Sequence, residues 1–169
     1  MLNNKIITLL MSCVISASCL ALESDFSQNI VIDAKKQQLE IKTNTLSFTG
    51  DVEVKQGSLR MKAERLEVIK ADEQNPNSQD ILRAIGSPAT YKQTLESGET
   101  LVATAKNIQY KVKDRILTLT GNATISQQSS QVSGDTIEYN LVEQKLIASS
   151  SNKAGQKVRT VLTPKGSEE

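Results

Sequence analysis

The chain has no histidine and no tryptophan, and its two cysteines, Cys13 and Cys19, both lie in the first 21 residues. The missing histidine removes Ser-His-Asp triads, Cys-His pairs and the usual zinc ligand sets. If that first stretch is cleaved, the mature chain has no thiol, which excludes disulfides and thiolate chemistry. Aromatics are also scarce. They are Phe26, Phe48, Tyr91, Tyr110 and Tyr139, 3% of the chain. No charge of one sign dominates: 20 basic residues face 19 acidic ones, and losing Lys5 with the leader leaves 19 of each. A nucleic-acid partner would need clustered excess base, so none is expected. No glycine loop suited to phosphate is present either.

What is present starts with that leader. Lys5, an apolar run from Ile6 to Val14 and the small residues before Leu20-Ala21 have the layout of a secretory signal cleaved after Ala21. An uncleaved membrane anchor would need roughly 20 apolar residues, and Ser12, Ser16 and Ser18 interrupt the run. The expected domains are therefore a signal at 1–21, one folded domain over 22–164 and a disordered charged tail at 165–169. About 148 mature residues are enough for one real core.

The domain repeats itself. Leu46 to Val68, LSFTGDVEVKQGSLRMKAERLEV, aligns without a gap at an offset of 71 with Leu117 to Tyr139, LTLTGNATISQQSSQVSGDTIEY. Leu46/Leu117, Thr49/Thr120, Gly50/Gly121, Gln56/Gln127, Ser58/Ser129 and Glu67/Glu138 are identical. A self-match at fixed offset marks a fold made by repeating one supersecondary unit. Both copies alternate apolar and polar residues with period 2, the pattern of strands wet on one face. Such alternation runs through most of the chain from Ile30 onward, with hardly any helical spacing, so the expected class is all-β.

The alternation slips by one residue after Ala34, Ala63, Ala105 and Gly134. An extra residue turns every following side chain to the opposite face, so each slip needs a bulge or corner if the chain is to keep facing one core. Polar turns are expected at Thr43-Asn44-Thr45, over Lys70 to Asp80, at Ser97-Gly98-Glu99 and over Ser149 to Gln156. Pro88 should mark an edge or a turn. A last strand carries Val158, Thr160 and Leu162.

Catalysis finds little support. Asp51, Glu64, Glu67, Asp135 and Glu138 recur at repeat positions, but on the polar strand faces, where solvated carboxylates are the expected reading. The apolar face, almost wholly aliphatic, has two readings: an ordinary packed core, or the inner walls of a groove between two sheets that do not close. Each buried methylene contributes roughly 0.8 kcal/mol, so an acyl chain of about a dozen carbons offers on the order of 10 kcal/mol. Ile30, Ile32, Leu39, Ile41, Phe48, Tyr91, Tyr110, Val112 and Leu119 are the candidate lipid-binding lining. The Tyr91 hydroxyl would need a polar neighbour.

The runs LSFTGDVEVKQGSLRMKAERLEV, IGSPATYKQ, AKNIQYKVKDRILTLTGNATI, GDTIEYNLVEQKLIA and KVRTVLTP together resemble the OstA-like family of periplasmic lipopolysaccharide-transport proteins, over about Ile30 to Pro164. The resemblance implies an open, twisted antiparallel β-jelly roll of about sixteen strands whose interior takes the acyl chains of lipopolysaccharide. It implies the periplasm of a Gram-negative bacterium, no cofactor or metal, and subunits stacked head to tail. It further implies two partners, an LptC-like jelly roll anchored in the inner membrane and an LptD-like outer-membrane translocon. Strand addition at unpaired edges would join them. The candidate edges are Ile30, Val31 and Ile32 at one end and Val158, Thr160 and Leu162 at the other. An ATPase elsewhere would drive movement. A structural β-repeat protein or adhesin, polymerising through the same edges without lipid, is the alternative.

Overall fold

The structure, a computed structural model, describes residues 25–72, 74–151 and 156–163. The expected leader 1–21 and tail 165–169 lie outside the described residues. The strands are β1 (Val31–Asp33), β2 (Lys36–Glu40), β3 (Thr45–Gln56), β4 (Leu59–Ile69), β5 (Ile81–Thr94), β6 (Thr100–Lys111), β7 (Ile116–Gln127), β8 (Ser130–Asn140), β9 (Lys145–Ser149) and β10 (Arg159–Leu162). All belong to one antiparallel sheet in the order β1-β3-β4-β5-β6-β7-β8-β10. Strand β2 follows β1 along the same edge of β3, and β9 shares the far edge of β8 with β10. Among the described residues no pairing joins the first edge to the last, so the sheet is open.

Every one of the six long strands bends at mid-length, because the register shifts in a line across the sheet. The shifts fall between Thr49 and Val52, Lys62 and Arg65, Ile85 and Ala89, Thr104 and Asn107, and Thr120 and Ala123. Strands β3, β5 and β7 carry more residues through the corner than their neighbours. That is why β4, β6 and β8 slip in phase at Ala63, Ala105 and Gly134, as the alternation predicts. The bends also account for the strand number. Among the described residues ten strands are seen rather than about sixteen, since the long ones continue through their corners. Pro88, expected at an edge or a turn rather than mid-ladder, sits at one of these corners. It lies inside the interior strand β5, at the corner, where Gly86 to Pro88 fall outside the ladder to β6.

The repeat is exact in the backbone. Moving β3 and β4 by 71 residues gives the bounds of β7 and β8. The left-handed residues move with them: Asn44 and Arg115 (φ 49° and 56°), Gly50 and Gly121 (83° and 82°), Asp51 and Asn122 (47° and 52°), Gly57 and Gln128 (54° and 51°). At the corner, glycine is needed on two counts. A β-carbon is disfavoured at such a φ, and one built on Gly50 or Gly121 would sit 3.0 or 3.2 Å from the Cβ of Lys35 or Lys106, itself a pair 71 apart. Aspartate or asparagine follows because short polar side chains tolerate the left-handed region.

The bend lays one half of the sheet over the other. The first layer holds the row Ile32, Val54, Met61, Tyr91, Ala103, Ile125, Val132 and Thr160 in direct register. The second holds Leu39, Leu46, Val68, Leu82, Tyr110, Leu117, Tyr139 and Leu146. Directly opposed residues share a face, so both rows look inward. A single hydrophobic cluster draws on both layers. The rings of Tyr91 and Tyr110 lie 6.3 Å apart at 57° although they are not register partners, a contact made across the core.

Candidate functional site

The expected lining residues separate into three groups. Tyr91, Tyr110 and Leu119 are 0% exposed and Phe48 is buried. Ile30, Ile32 and Val112 are half-buried and pack against the same cluster. Leu39 and Ile41 are the exception, at 57% and 84% exposed. Leu39 has the inward parity, opposite Leu46, but β2 is an edge strand, and among the described residues no strand pairs beyond it. Ile41 has left the strand for the turn at 41–44. Neither is part of a closed interior.

An apolar cavity of about 190 Å³ opens between the first edge and β5, walled by Ile30, Ile32, Leu46, Phe48, Val68 and Leu82. At its rim stand Lys70 and Asp80, joined by a hydrogen-bonded ion pair, with the Ala71 N–H donating to Asp80 at 2.9 Å. Partial burial raises the Asp80 pKa, but Lys70 and the Ala71 amide outweigh it and hold it below the usual value.

Polar groups meet this interior at the strand ends of the first layer, where Gln56, Gln93 and Gln127 share the inward parity with Leu59 and Leu101. Gln56 Nε2 donates to the carbonyls of Phe26 and Gln28, both at 3.2 Å. Asp25, buried, accepts from the Ser58 N–H at 2.9 Å and from the Ser58 hydroxyl. Gly57 leaves room for it: a β-carbon there would meet Asp25 Oδ1 at 2.1 Å. Phe26 packs on the core, and the Arg115 guanidinium lies 4.1 Å from the centre of its ring. Ser58 sits in the β3–β4 turn of the first layer and Arg115 in the β6–β7 turn of the second. Residues 25–28 therefore form a strap tying the two layers at their free ends.

The Tyr91 hydroxyl finds the polar neighbour it needs by donating to Gln93 Oε1. Burial raises the pKa of Tyr91 well above the ordinary value, with Tyr110, Asp25 and Tyr139 adding to it; burial also raises those of Tyr110 and Tyr139. Gln93 and the strap were not among the expected site residues. Gln93 could have been found, as a glutamine at the apolar parity of β5 two residues after Tyr91. Asp25 and Phe26 left no periodic signal, because they belong to no strand.

The edges complete the arrangement. Among the described residues β1 pairs only with β3, and β10 only with β8. Val31 is 49% exposed on the first edge and Leu162 71% on the last. Thr160 and Leu162 have the inward parity. Ile30 and Val158 lie just before β1 and β10 and are not themselves strand residues.

The family model described as LptA/(LptD N-terminal domain) LPS transport protein matches residues 31–145. The chain belongs to that family. Among curated relatives, the lipopolysaccharide export system protein LptA of Haemophilus influenzae is 32% identical over 164 residues, 97% of this chain and 94% of the relative. The protein of that name from Escherichia coli K12 is 32% identical over 88% of this chain and 78% of its own length. The crystal structure of LptH, the LptA-homologous periplasmic component of the lipopolysaccharide transport device of Pseudomonas aeruginosa, superposes with a TM-score of 0.73. That likeness covers 83% of this chain and 99% of the other at 24% identity, and it shows the fold. The chain is thus a periplasmic lipopolysaccharide-transport protein of Gram-negative type and not an enzyme. Among the described residues no helix is long and apolar enough to cross a membrane.

Proposed function

We propose that the two layers take the acyl chains of lipopolysaccharide between them, and that copies join edge to edge, head to tail, into a bridge from the inner to the outer membrane. The observation that carries this is the open sheet, whose inward rows run to both edges, ending at Ile32 and Leu39 on one and at Thr160 and Leu146 on the other. A second copy adding β1 and β2 to the free side of β9 and β10 would pair the bare backbone and extend both rows. The same edges would receive an LptC-like jelly roll at one end and an LptD-like translocon at the other. Residues 1–21 would be removed on export, leaving 22–164 as the domain. Ile30, Ile32, Phe48, Tyr91, Tyr110, Val112 and Leu119 would meet the lipid.

The tight interior around Tyr91 and Tyr110 favours a second reading, a polymer without cargo. Photocrosslinking in cells separates the two. Photoreactive residues at Ile32, Tyr91 and Tyr110 are expected to give lipopolysaccharide adducts, and those at Thr49 and Thr120, on the outer face, none. Folded protein without an adduct at any of the first three positions would leave the polymer reading in place.

A further inference from the structure

The repeat contains a ladder that the two edges lack. Strand β6 sits on β7 in the register that β1 and β2 keep on β3, 71 residues earlier: Val102 opposite Ser126 and Tyr110 opposite Leu117 become Val31 opposite Lys55 and Leu39 opposite Leu46. Strand β5 likewise sits on β4 as β10 and β9 sit on β8. Lys92 opposite Arg60 and Leu82 opposite Val68 become Val161 opposite Gln131 and Leu146 opposite Tyr139. Even the corners agree, since the skip between Lys62 and Arg65 against β5 recurs between Ser133 and Thr136 against β10 and β9. The first edge is therefore β6 without its β5, and the last edge is β5 without its β6. Inside the chain those two strands pair on both sides of the corner.

We infer that the joint between copies repeats the β5–β6 ladder, and that two outward charge pairs select this register over its neighbours. The inference rests on the edge-to-edge reading above and adds the pairing to it. Carried onto the edges, the β5–β6 register sets Arg159 of one copy opposite Asp33 of the next, Lys145 opposite Glu40 and Leu146 opposite Leu39. Both charged pairs are of opposite sign and lie on the outer face. Beside them Val161 meets Val31, 44% and 49% exposed in the free copy, so the joint covers both. One step beyond, on the inner face, Leu162 meets Ile30. A slip of two residues is the smallest that keeps inward side chains inward. In one direction it sets Arg159 against Lys35 and Lys145 against Lys42; in the other it sets them against Val31 and Gln38. Opposite charges directly across a ladder stabilise it and like charges destabilise it, so one slip is penalised and the other forfeits both pairs. Among the described residues Arg159, Lys145 and Glu40 form no ion pair, and Asp33 has only Lys55, at 3.2 Å on the exposed surface. The charges are thus available to a neighbouring copy.

Residues 22–169 contain no cysteine, so introduced cysteines report the register directly. Directly opposed residues of an antiparallel pair have Cα atoms about 4.5–5.5 Å apart, within disulfide reach, while a partner two residues off lies about 7–8 Å away and outside it. Mature Arg159→Cys mixed with mature Asp33→Cys under mild oxidation is expected to give a disulfide-linked dimer. Arg159→Cys mixed with Val31→Cys should give at least about tenfold less. Charge is tested at the other pair. Lys145→Glu is expected to weaken association about fivefold in sedimentation at low salt, and Lys145→Glu with Glu40→Lys in one chain to restore it to within about twofold. All five positions are exposed in the free copy, so the variants should keep its melting temperature. A disulfide favoured at Arg159 with Val31, or a double variant as weak as Lys145→Glu, overturns the register and leaves edge-to-edge joining in place. An unaltered protein that stays monomeric at high concentration, with no disulfide from either mixture, overturns the edge-to-edge reading and this inference with it.

Discussion

The two copies of the repeat share their strand bounds and left-handed turns, yet differ in what they expose. The second copy begins with β6, flanked on both sides, and the first with β1 and β2, flanked on one. Leu39 and Tyr110 occupy the same place in the repeat, and one is 57% exposed while the other is 0%. Ala34 and Ala105 begin the same corner, exposed in the first copy and buried in the second. Local sequence pattern makes the unit, but its position in the sheet decides whether the inward face meets another strand or solvent. A bridge joined edge to edge, as proposed above, would need that asymmetry. Two fully flanked copies would make a closed unit with nothing to offer a neighbour.

Replacing the equivalent residues tests this contrast directly. Tyr110→Ala is expected to cost about 3–5 kcal/mol in urea denaturation of the dilute monomer, through lost transfer energy and a cavity. Leu39→Ala should cost under about 1 kcal/mol; similar losses at both sites would show that the first edge is covered in the free protein. The next effect concerns assembly. Leu162→Asp places a charge on the inward face of the last edge and is expected to weaken head-to-tail association at least about tenfold in sedimentation, with the monomer's melting temperature nearly unchanged.

The corners should respond alike in both copies. Gly50→Ala and Gly121→Ala are each expected to lose about 1–2 kcal/mol, because both place a β-carbon at positive φ against a lysine. A large difference between them would break the equivalence. Last comes pH. Tyr91 and Tyr110 have pKa values raised by folding, so their contribution is complete below the unfolded value and is lost as pH rises past about 10 toward the folded one. Tyr139 is raised too and adds to the same alkaline loss. Urea titrations above and below that pH should show the loss in the unaltered protein and a smaller one in Tyr110→Phe.

Much of this was legible in the residues. Period-2 alternation gave strands, since consecutive side chains of an extended backbone point to opposite faces. The slips at Ala63, Ala105 and Gly134 located bends that the ladders show as register shifts, and the slip at Ala34 falls in the break between β1 and β2. Gly50 and Gly121 were legible as special backbone positions, though not as the residues that set a corner over Lys35 and Lys106. The strap was not legible. Asp25, Phe26, Gln56 and Ser58 are tied by contacts spanning about thirty residues, and such contacts leave no local period.

By itself, then, the sequence determined the unit, its repetition and its bends, because these depend on backbone preference and on which face of a strand is apolar. It also set aside the common catalytic chemistries that need histidine, which it lacks. Only the tertiary structure decided which copy lies at the edge, which Leu39 and Ile41 reveal by their exposure. It alone set Tyr91 against Tyr110 across the fold. The reason is physical: burial and hydrogen-bond satisfaction depend on what the rest of the chain places nearby, and a strand carries no record of its neighbours.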